Sequence, residues 1–286
     1  MNIRELLDWG TDALVLAGNE DALFDSRELL IKAAEAERTS FPLHMEDPVP
    51  PERELEYRKM IERRASGYPL QYILGEWDFF GLTLKVGEGV LIPRPETEIL
   101  TETAIKQLRR MQEKTGRKDL LVLDLCAGTG CIGLAIASQL PECTVISVEK
   151  SEQAMSFLQE NVQHSGFANI SVVKGDVLAD PYCITQKRPD AIISNPPYVT
   201  EEEMSELQKE VSYEPVMALI PGEDDLLFYR CIAEKWIPLV NDGGFAAVEC
   251  GDAQAEAIRE LFLPVSGGVS ITLDYQGIGR VVLAEK

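Results

Sequence analysis

The stretch from Leu120 to Gly133 constrains the fold more than any other part of the chain. An apolar run ends in Asp124 and Leu125, and Cys126, Ala127, Gly128, Thr129 and Gly130 follow it at once. An apolar segment of helical spacing comes next and contains Gly133. Gly128, Gly130 and Gly133 spell G-x-G-x-x-G, the pattern of a strand, a turn of small residues and a helix start. Small residues let the backbone pass close to a ligand, and a helix N-terminus offers free amide donors. The spacing alone does not name the ligand. Dinucleotide folds share it, and a glycine turn that only packs helix on strand satisfies it too.

The rest of the chain fits that unit into a sheet. Strand-like runs at 120–125, 144–148, 170–173, 191–193, 245–248, 269–273 and 280–283 alternate with helical stretches near 130–139, 152–164, 226–240 and 253–263. Such alternation predicts a parallel, doubly wound α/β sheet. The last two runs are joined by a short turn holding Gly277, so the final strand is expected to run antiparallel to its neighbour. Seven strands ending in a hairpin suit a methyltransferase better than a dehydrogenase. Upstream, Leu6, Leu7, Ala13, Leu14 and Leu16 recur near helical spacing, and Asp25 with Glu28 reads as a capping box before the run 29–36. Pro42, Pro48, Pro50 and Pro51 break the chain before a further helix at about 52–65. Residues 1–70 are therefore expected to form a small helical domain, residues 71–95 a β-hairpin linker, and residues 96–286 the sheet domain. Pro95 is placed to open a helix running toward Met111.

Composition excludes several functions. Lys and Arg number 27 against 48 Asp and Glu, a net charge of −21. That balance argues against direct binding of nucleic acid or an anionic membrane, since both need a basic face. Six cysteines without a Cys-x-x-Cys pair and two histidines, His44 and His164, leave no zinc cluster, and no metal is expected. Reduced thiols, a charged N-terminus and the lack of a run of roughly 20 apolar residues point to a soluble, cytoplasmic chain, expected to be monomeric.

Two carboxylates narrow the ligand. Asp124 stands before the glycines, and Glu149 ends the next strand, where it can accept hydrogen bonds from ribose hydroxyls of either NAD or S-adenosylmethionine. Asp124 suits a ligand without phosphates, and an acidic pocket complements the ammonium and sulfonium of S-adenosylmethionine. Asp176 either accepts from an adenine amino group or is a turn aspartate after Gly175. Past the fourth strand come Asn195, Pro196, Pro197 and Tyr198. Two prolines fix the backbone and remove two donors, which leaves carbonyls to accept. With the Asn195 amide oxygen and the flat ring of Tyr198, the loop suits a planar –NH2 group. Acceptors on both N–H bonds raise electron density on such a nitrogen and aim its lone pair at a methyl donor, so position supplies most of the catalysis.

These residues carry a resemblance. Residues 92–98 (Ile-Pro-Arg-Pro-Glu-Thr-Glu), 124–130 (Asp-Leu-Cys-Ala-Gly-Thr-Gly), 195–198 (Asn-Pro-Pro-Tyr) and 213–215 (Tyr-Glu-Pro), with Ala218 and Leu219, resemble the release factor glutamine methyltransferases of the HemK type. The likeness spans essentially the whole chain. It implies a seven-stranded Rossmann-like class I methyltransferase domain behind a helical N-terminal domain that recognises substrate. The implied reaction is methyl transfer from S-adenosylmethionine to the glutamine of the Gly-Gly-Gln motif in peptide chain release factors. By position, Cys126 to Gly130, Glu149 and Val177 would line the cofactor site, joined by Asp124, Asp176 and Asn195. Asn195, Pro196, Pro197 and Tyr198 would hold the glutamine, with Asn195, Pro196 and Tyr198 as the catalytic set. Cys126 departs from the glycine often found there, and residues 221–226 lack a glycine near Asp225. Arg94, Glu96 and Glu98 either touch substrate or brace the hairpin. Alternatives are a glutamine methyltransferase of a ribosomal protein, an amino-methyltransferase of DNA or RNA, and a non-enzymatic NAD-binding module. Nine acids and one base in residues 201–225 disfavour nucleic acid.

Overall fold

The computed structural model describes residues 1–204 and 207–286, so Glu206 of the acidic run lies outside the described residues. Two units emerge: Met1–Glu76 with Gln208–Tyr213, and Trp77–Leu207 with Glu214–Lys286. In the first, α1 (Ile3–Leu16), α2 (Ala22–Ala34), α3 (Pro51–Ala65) and α4 (Leu70–Leu74) surround buried Leu6, Leu14, Leu29, Leu30, Tyr57 and Ile61. Gly10 makes this packing possible, because a Cβ there would lie 1.9 Å from the Tyr57 hydroxyl. That hydroxyl instead meets Ser26 Oγ at 2.6 Å.

The capping box sits elsewhere than expected. Asn2 caps α1: its Oδ1 accepts from the Glu5 amide at 2.8 Å, and Glu5 Oε2 accepts from the Asn2 amide at 2.9 Å. α2 already begins at Ala22, so Asp25 and Glu28 lie within it and are buried. Asp25 accepts from Arg64 Nε at 2.5 Å, and Glu28 pairs with Arg27 and Arg38. The Asp-x-x-Glu spacing reads alike for a cap and for two acids on one helix face, and the buried Arg64 decides for the second. The other end of Arg64 bonds Glu210 at 2.5 Å.

The second unit opens with the expected hairpin, β1 (Glu76–Phe79) and β2 (Leu82–Lys85). Phe80 and Gly81 at its turn both take positive φ, 51° and 78°, which matches the twist of a two-residue hairpin. α5 (Pro95–Thr115) follows, with Pro95 in its first turn. The sheet holds β3 (Leu121–Leu125), β4 (Thr144–Glu149), β5 (Ile170–Lys174), β6 (Ala191–Ser194), β7 (Phe245–Glu249), β8 (Gly268–Leu273) and β9 (Gly279–Glu285). Their spatial order is β5-β4-β3-β6-β7-β9-β8. β9 alone runs antiparallel to its neighbours β7 and β8, as the Gly277 turn predicts.

β3 sits in the interior, with Leu123 opposite Ile146 on β4 and Ile192 on β6. Alternate residues of each strand serve opposite faces. Val122 and Ile193 join Leu100, Leu108 and Leu134 in one core, while Leu123 and Ile192 join Trp236, Ile258 and Phe262 in the other. The helices are α6 (Cys131–Gln139), α7 (Glu152–Ser165), the short α8 (Glu201–Met204) and α9 (Val216–Leu219), then α10 (Leu227–Cys231) and α11 (Ala255–Phe262).

The single helix expected at 226–240 is broken. A π turn over Ile232–Trp236 and a 3₁₀ turn at Ile237–Leu239 follow α10. Pro238 removes a donor, and the π turn brings residues five apart onto one side. Cys231 Sγ and Trp236 Nε1 thereby both donate to the Val177 carbonyl, at 3.3 and 2.9 Å. Among the described residues no helix is long and apolar enough to cross a membrane.

Candidate active site

Residues just past the carboxyl ends of β3, β4 and β6 enclose a cavity of about 970 Å³, counting its open mouth. Cys126, Ala127, Gly128, Glu149, Asp176, Val177, Asn195 and Pro197 line it, whereas Asp124, Thr129, Gly130, Pro196 and Tyr198 do not. The expected residues thus divide into a lining set and a supporting set.

Asp124 belongs to the support. It is fully buried beneath the turn, where Oδ2 accepts from the Gly133 amide at 3.1 Å and from Ser147 Oγ at 3.0 Å. Among the described residues Oδ1 has no hydrogen-bond partner, and burial pushes the carboxyl up to about 7. Gly133 is required here because a Cβ would stand 2.3 Å from Ser147 Oγ and 2.7 Å from Asp124 Oδ2. Gly130 takes φ +82°, and Cys126 adopts +59°, a conformation that favours glycine. Burial raises the Cys126 thiol, so it stays neutral. Thr129 is buried, and its carbonyl accepts from Asn161 Nδ2 at 3.0 Å.

The turn spends its amides on the protein itself. Ala127 donates to the Val148 carbonyl at 3.0 Å, Gly130 to the Ala127 carbonyl at 2.7 Å, and Gly128 to Glu149 Oε2 at 2.9 Å. With Gly133 bound to Asp124, carboxylates occupy positions that would otherwise cradle a phosphate. A pyrophosphate would meet two acids and few free donors there, which disfavours a dinucleotide. Glu149 Oε1 also accepts from the Lys150 and Ser151 amides at 2.8 and 2.7 Å. Of the roughly four acceptor positions on a carboxylate, about one remains for a ligand hydroxyl. At the mouth, Asp176 accepts from the Leu178 amide and Lys150 Nζ, each at 2.9 Å. Burial works to raise Asp176, but these two partners outweigh it and hold the carboxyl below its ordinary value.

Across the cavity, Asn195 Nδ2 donates to Thr97 Oγ1 at 3.1 Å, which leaves Oδ1 as the end available to a ligand. Tyr198 braces the loop rather than lining the cavity. Its hydroxyl donates to Glu249 Oε1 at 3.1 Å, and its carbonyl accepts from Gln254 Nε2 at 3.2 Å. A half-buried tyrosine hydroxyl needs such a partner. Glu249 is itself fully buried; its carboxyl is raised to about 7, chiefly by burial, and among the described residues Oε2 has no hydrogen-bond partner.

Thr97, Glu249 and Glu214 were not among the expected site residues. Glu249 carries the same signal as Glu149, an acid ending an apolar strand, but no ligand motif adjoins it. Glu214 is buried, accepts from the Ile92 amide at 3.1 Å and pairs with Arg94. Glu98 accepts from the Phe80 amide at 2.8 Å. Arg94 and Glu98 thus each make a contact that braces the chain, and Arg94 also lines the cavity. The charge of Glu96 reaches Glu249 and helps raise it.

A family model described as the PrmC N-terminal domain matches residues 5–75, and one described as the methyltransferase small domain matches residues 102–218. The release factor glutamine methyltransferase of Thermodesulfovibrio yellowstonii is 40% identical over 248 residues, which cover 85% of this chain and 86% of that one. The protein of the same name from Geobacter sulfurreducens is 38% identical over 282 residues, 98% of this chain and 95% of that one. Among solved structures, the hMettl16 catalytic domain in complex with a MAT2A 3′UTR hairpin aligns with a TM-score of 0.55 at 16% identity, covering 79% of this chain and 80% of that one. At that identity the likeness concerns the fold alone.

Proposed function

The chain belongs to the release factor glutamine methyltransferase family, and from that premise we propose that it methylates the side-chain amide nitrogen of the glutamine in the Gly-Gly-Gln motif of peptide chain release factors, with S-adenosylmethionine as donor. The observation that carries this reading is the Asn195 amide, whose nitrogen is engaged by Thr97 so that its oxygen serves the cavity. A glutamine –NH2 needs acceptors; Asn195 Oδ1 provides one at the cavity, and in this reading the second comes from a carbonyl of the adjoining proline loop, where the prolines leave acceptors without donors. Holding both N–H bonds localises the nitrogen lone pair and directs it across the cavity. No base is required beside the nitrogen, because its proton leaves after the methyl group has arrived.

The cavity's residues fit S-adenosylmethionine. Buried Asp124 keeps an unpartnered oxygen under the turn, Glu149 and Asp176 place negative charge along the wall, and the two basic side chains of the lining, Lys150 and Arg94, are neutralised by Asp176 and Glu214. Cys126, Ala127 and Gly128 would lie along the amino-acid part, Glu149 at the ribose, and Asp176 with Val177 at the adenine; Thr129, Gly130 and Asp124 hold the turn in shape. When bound, the cofactor supplies a sulfonium-activated methyl group. The helical unit contributes none of these residues, and in this reading it recognises the release factor outside the modified loop. A cytoplasmic location follows from such a substrate.

Transfer of labelled methyl to unmodified release factor tests the proposal, with a Gln→Ala factor and ribosomal protein as controls. Label lost only in the Gln→Ala factor is expected. Label on ribosomal protein alone would move the substrate to the ribosome, and no label on any protein would send the search to nucleic acid. With Asn195→Ala, turnover is expected to fall while cofactor affinity is largely kept; normal turnover would remove the role given to that amide.

A further inference from the structure

Asn195 can offer either end of its amide to the cavity, and only one end serves a glutamine. Oδ1 accepts hydrogen bonds, whereas Nδ2 only donates. A threonine hydroxyl is compatible with both orientations, because it can accept or donate. Thr97 Oγ1 accepts from Nδ2 at 3.1 Å, so the Thr97 proton must point elsewhere. Thr97 is 2% exposed in the first turn of α5, shut off from bulk water. Glu249 is the acceptor at hand. Its Oε1 takes the Tyr198 hydroxyl at 3.1 Å, its buried Oε2 has no hydrogen-bond partner among the described residues and so is open to the Thr97 proton, and the Thr97 side chain favours the charged form. A buried carboxylate with an unsatisfied oxygen costs stability, so its place directly under the substrate loop calls for a functional reason.

We propose that Glu249, acting through Thr97, is the positioning residue that fixes the Asn195 amide with its oxygen toward the substrate; this deepens the glutamine reading above and rests on it. Ionised Glu249 accepts and never donates. It takes the Thr97 proton, Thr97 is left able only to accept, and Nδ2 must be the end that turns to it. Tyr198 on the same carboxylate ties the rest of the loop to this arrangement. Protonated Glu249 can donate to Thr97, which frees the Thr97 proton to face Asn195 Oδ1 and removes the bias.

The charged and titratable groups facing Glu249 are Glu96 on α5, Arg280 on β9, Tyr198 on the loop, Tyr229 on α10, Cys131 on α6 and the adjacent Cys250. Arg280 favours the carboxylate and Glu96 opposes it. Burial raises both tyrosines and both cysteines, so these four stay neutral while Glu249 titrates.

Two measurements on the full chain test the proposal. The first follows the side-chain ¹H–¹⁵N amide signal of Asn195, identified by its loss in Asn195→Asp, from about pH 6 to about pH 8.5. One titration is expected in the wild type and in Thr97→Ser, and none in Glu249→Gln or Thr97→Val. The second is methyl transfer: kcat is expected to fall about 100-fold in Thr97→Val and Glu249→Gln. In both variants the S-adenosylmethionine Kd should stay within about twofold, and Thr97→Ser, which keeps the hydroxyl, should restore the rate. The acid limb of the kcat profile should vanish in Glu249→Gln. A wild-type kcat in Thr97→Val, or an Asn195 titration that survives Glu249→Gln, would overturn the proposal. Should Glu249→Gln fail to fold, Thr97→Val and Thr97→Ser decide alone. A wild type that labels no glutamine retires the substrate reading, and the amide signal then still decides the network.

Discussion

Cys126 and Gly133 show how closely single atoms set this site. Cys126 holds a φ of +59° where glycine would be unstrained, at a cost of roughly 1–2 kcal/mol for an L-residue. Cys126→Gly relieves that strain but gives back roughly 0.5–1 kcal/mol in chain entropy. Its urea midpoint should therefore shift by less than about 1 kcal/mol equivalent, with cofactor binding kept. Cys126→Val places a β-branched residue at positive φ on the cavity wall, and should lose about 2 kcal/mol or more together with cofactor affinity. Equal midpoints for the two variants would mean that the backbone is not strained. Gly133 is constrained by its neighbours instead. An added Cβ would press on Ser147 Oγ and Asp124 Oδ2 at 2.3 and 2.7 Å, both under the helix start. Gly133→Ala is expected to destabilise by about 1–3 kcal/mol, read from the same denaturation curves. An unchanged midpoint would show that α6 can lift off the strand without loss.

Among the elements, the cavity wall depends on one buried carboxylate. Glu214 accepts from the Ile92 amide and pairs with Arg94, and the wall it holds includes Pro93, Arg94, Pro215 and Ala218. Glu214→Ala leaves Arg94, itself a third exposed, without this partner, so water softens the loss. The cofactor Kd is expected to rise about tenfold, since wall residues must then be ordered on binding. A smaller drop in melting temperature should accompany it, and an unchanged Kd by calorimetry would refute the bracing role. Regular elements were legible in the sequence because periodicity and breakers agree there: the seven strands, the hairpin at Gly81 and the start of α5 at Pro95 all lie where the residues place them. The broken helix after Leu226 was not legible, because its π turn answers to the Val177 carbonyl, far away in sequence. The same holds for Asp25 and Glu28, which mimic a cap until Arg64 is packed against them. In the site, the motif residues that line the cavity were visible as motifs. Thr97 and Glu249 were not, since their meaning lies in which side chain each one faces.

For the whole molecule, charge and burial together set the response to pH. The chain carries −21, and two carboxyls, Asp124 and Glu249, are raised by burial from 3.8 and 4.5 to about 7. Between the unfolded and folded values the native chain binds protons that the unfolded chain has released, so stability falls as pH rises through that window. The penalty is absent below the unfolded values and complete above about 7. Asp190 acts in the opposite sense. Burial tends to raise it, but Arg117, the Leu121 amide and Asn241 hold it below 3.8. Its contribution is full above that unfolded value and is lost as pH falls through the folded one. The two effects place the stability maximum at about pH 4, where Asp190 is already ionised and the buried pair is still protonated in the fold and only partly ionised in the unfolded chain, with a decline on the order of a few kcal/mol toward pH 8. Self-repulsion of the acidic surface steepens that decline, and added salt should soften the surface share alone, because buried groups are poorly screened. Melting temperatures measured across this range at two salt concentrations separate the shares. Glu249→Gln should flatten the alkaline decline at high salt while leaving the acid limb in place, and Asp190→Asn should weaken the acid limb while leaving the alkaline decline. A melting temperature that rises steadily from pH 5 to pH 8 would mean that the two buried carboxyls ionise at ordinary values, and the protonation step assigned to Glu249 would fall with them.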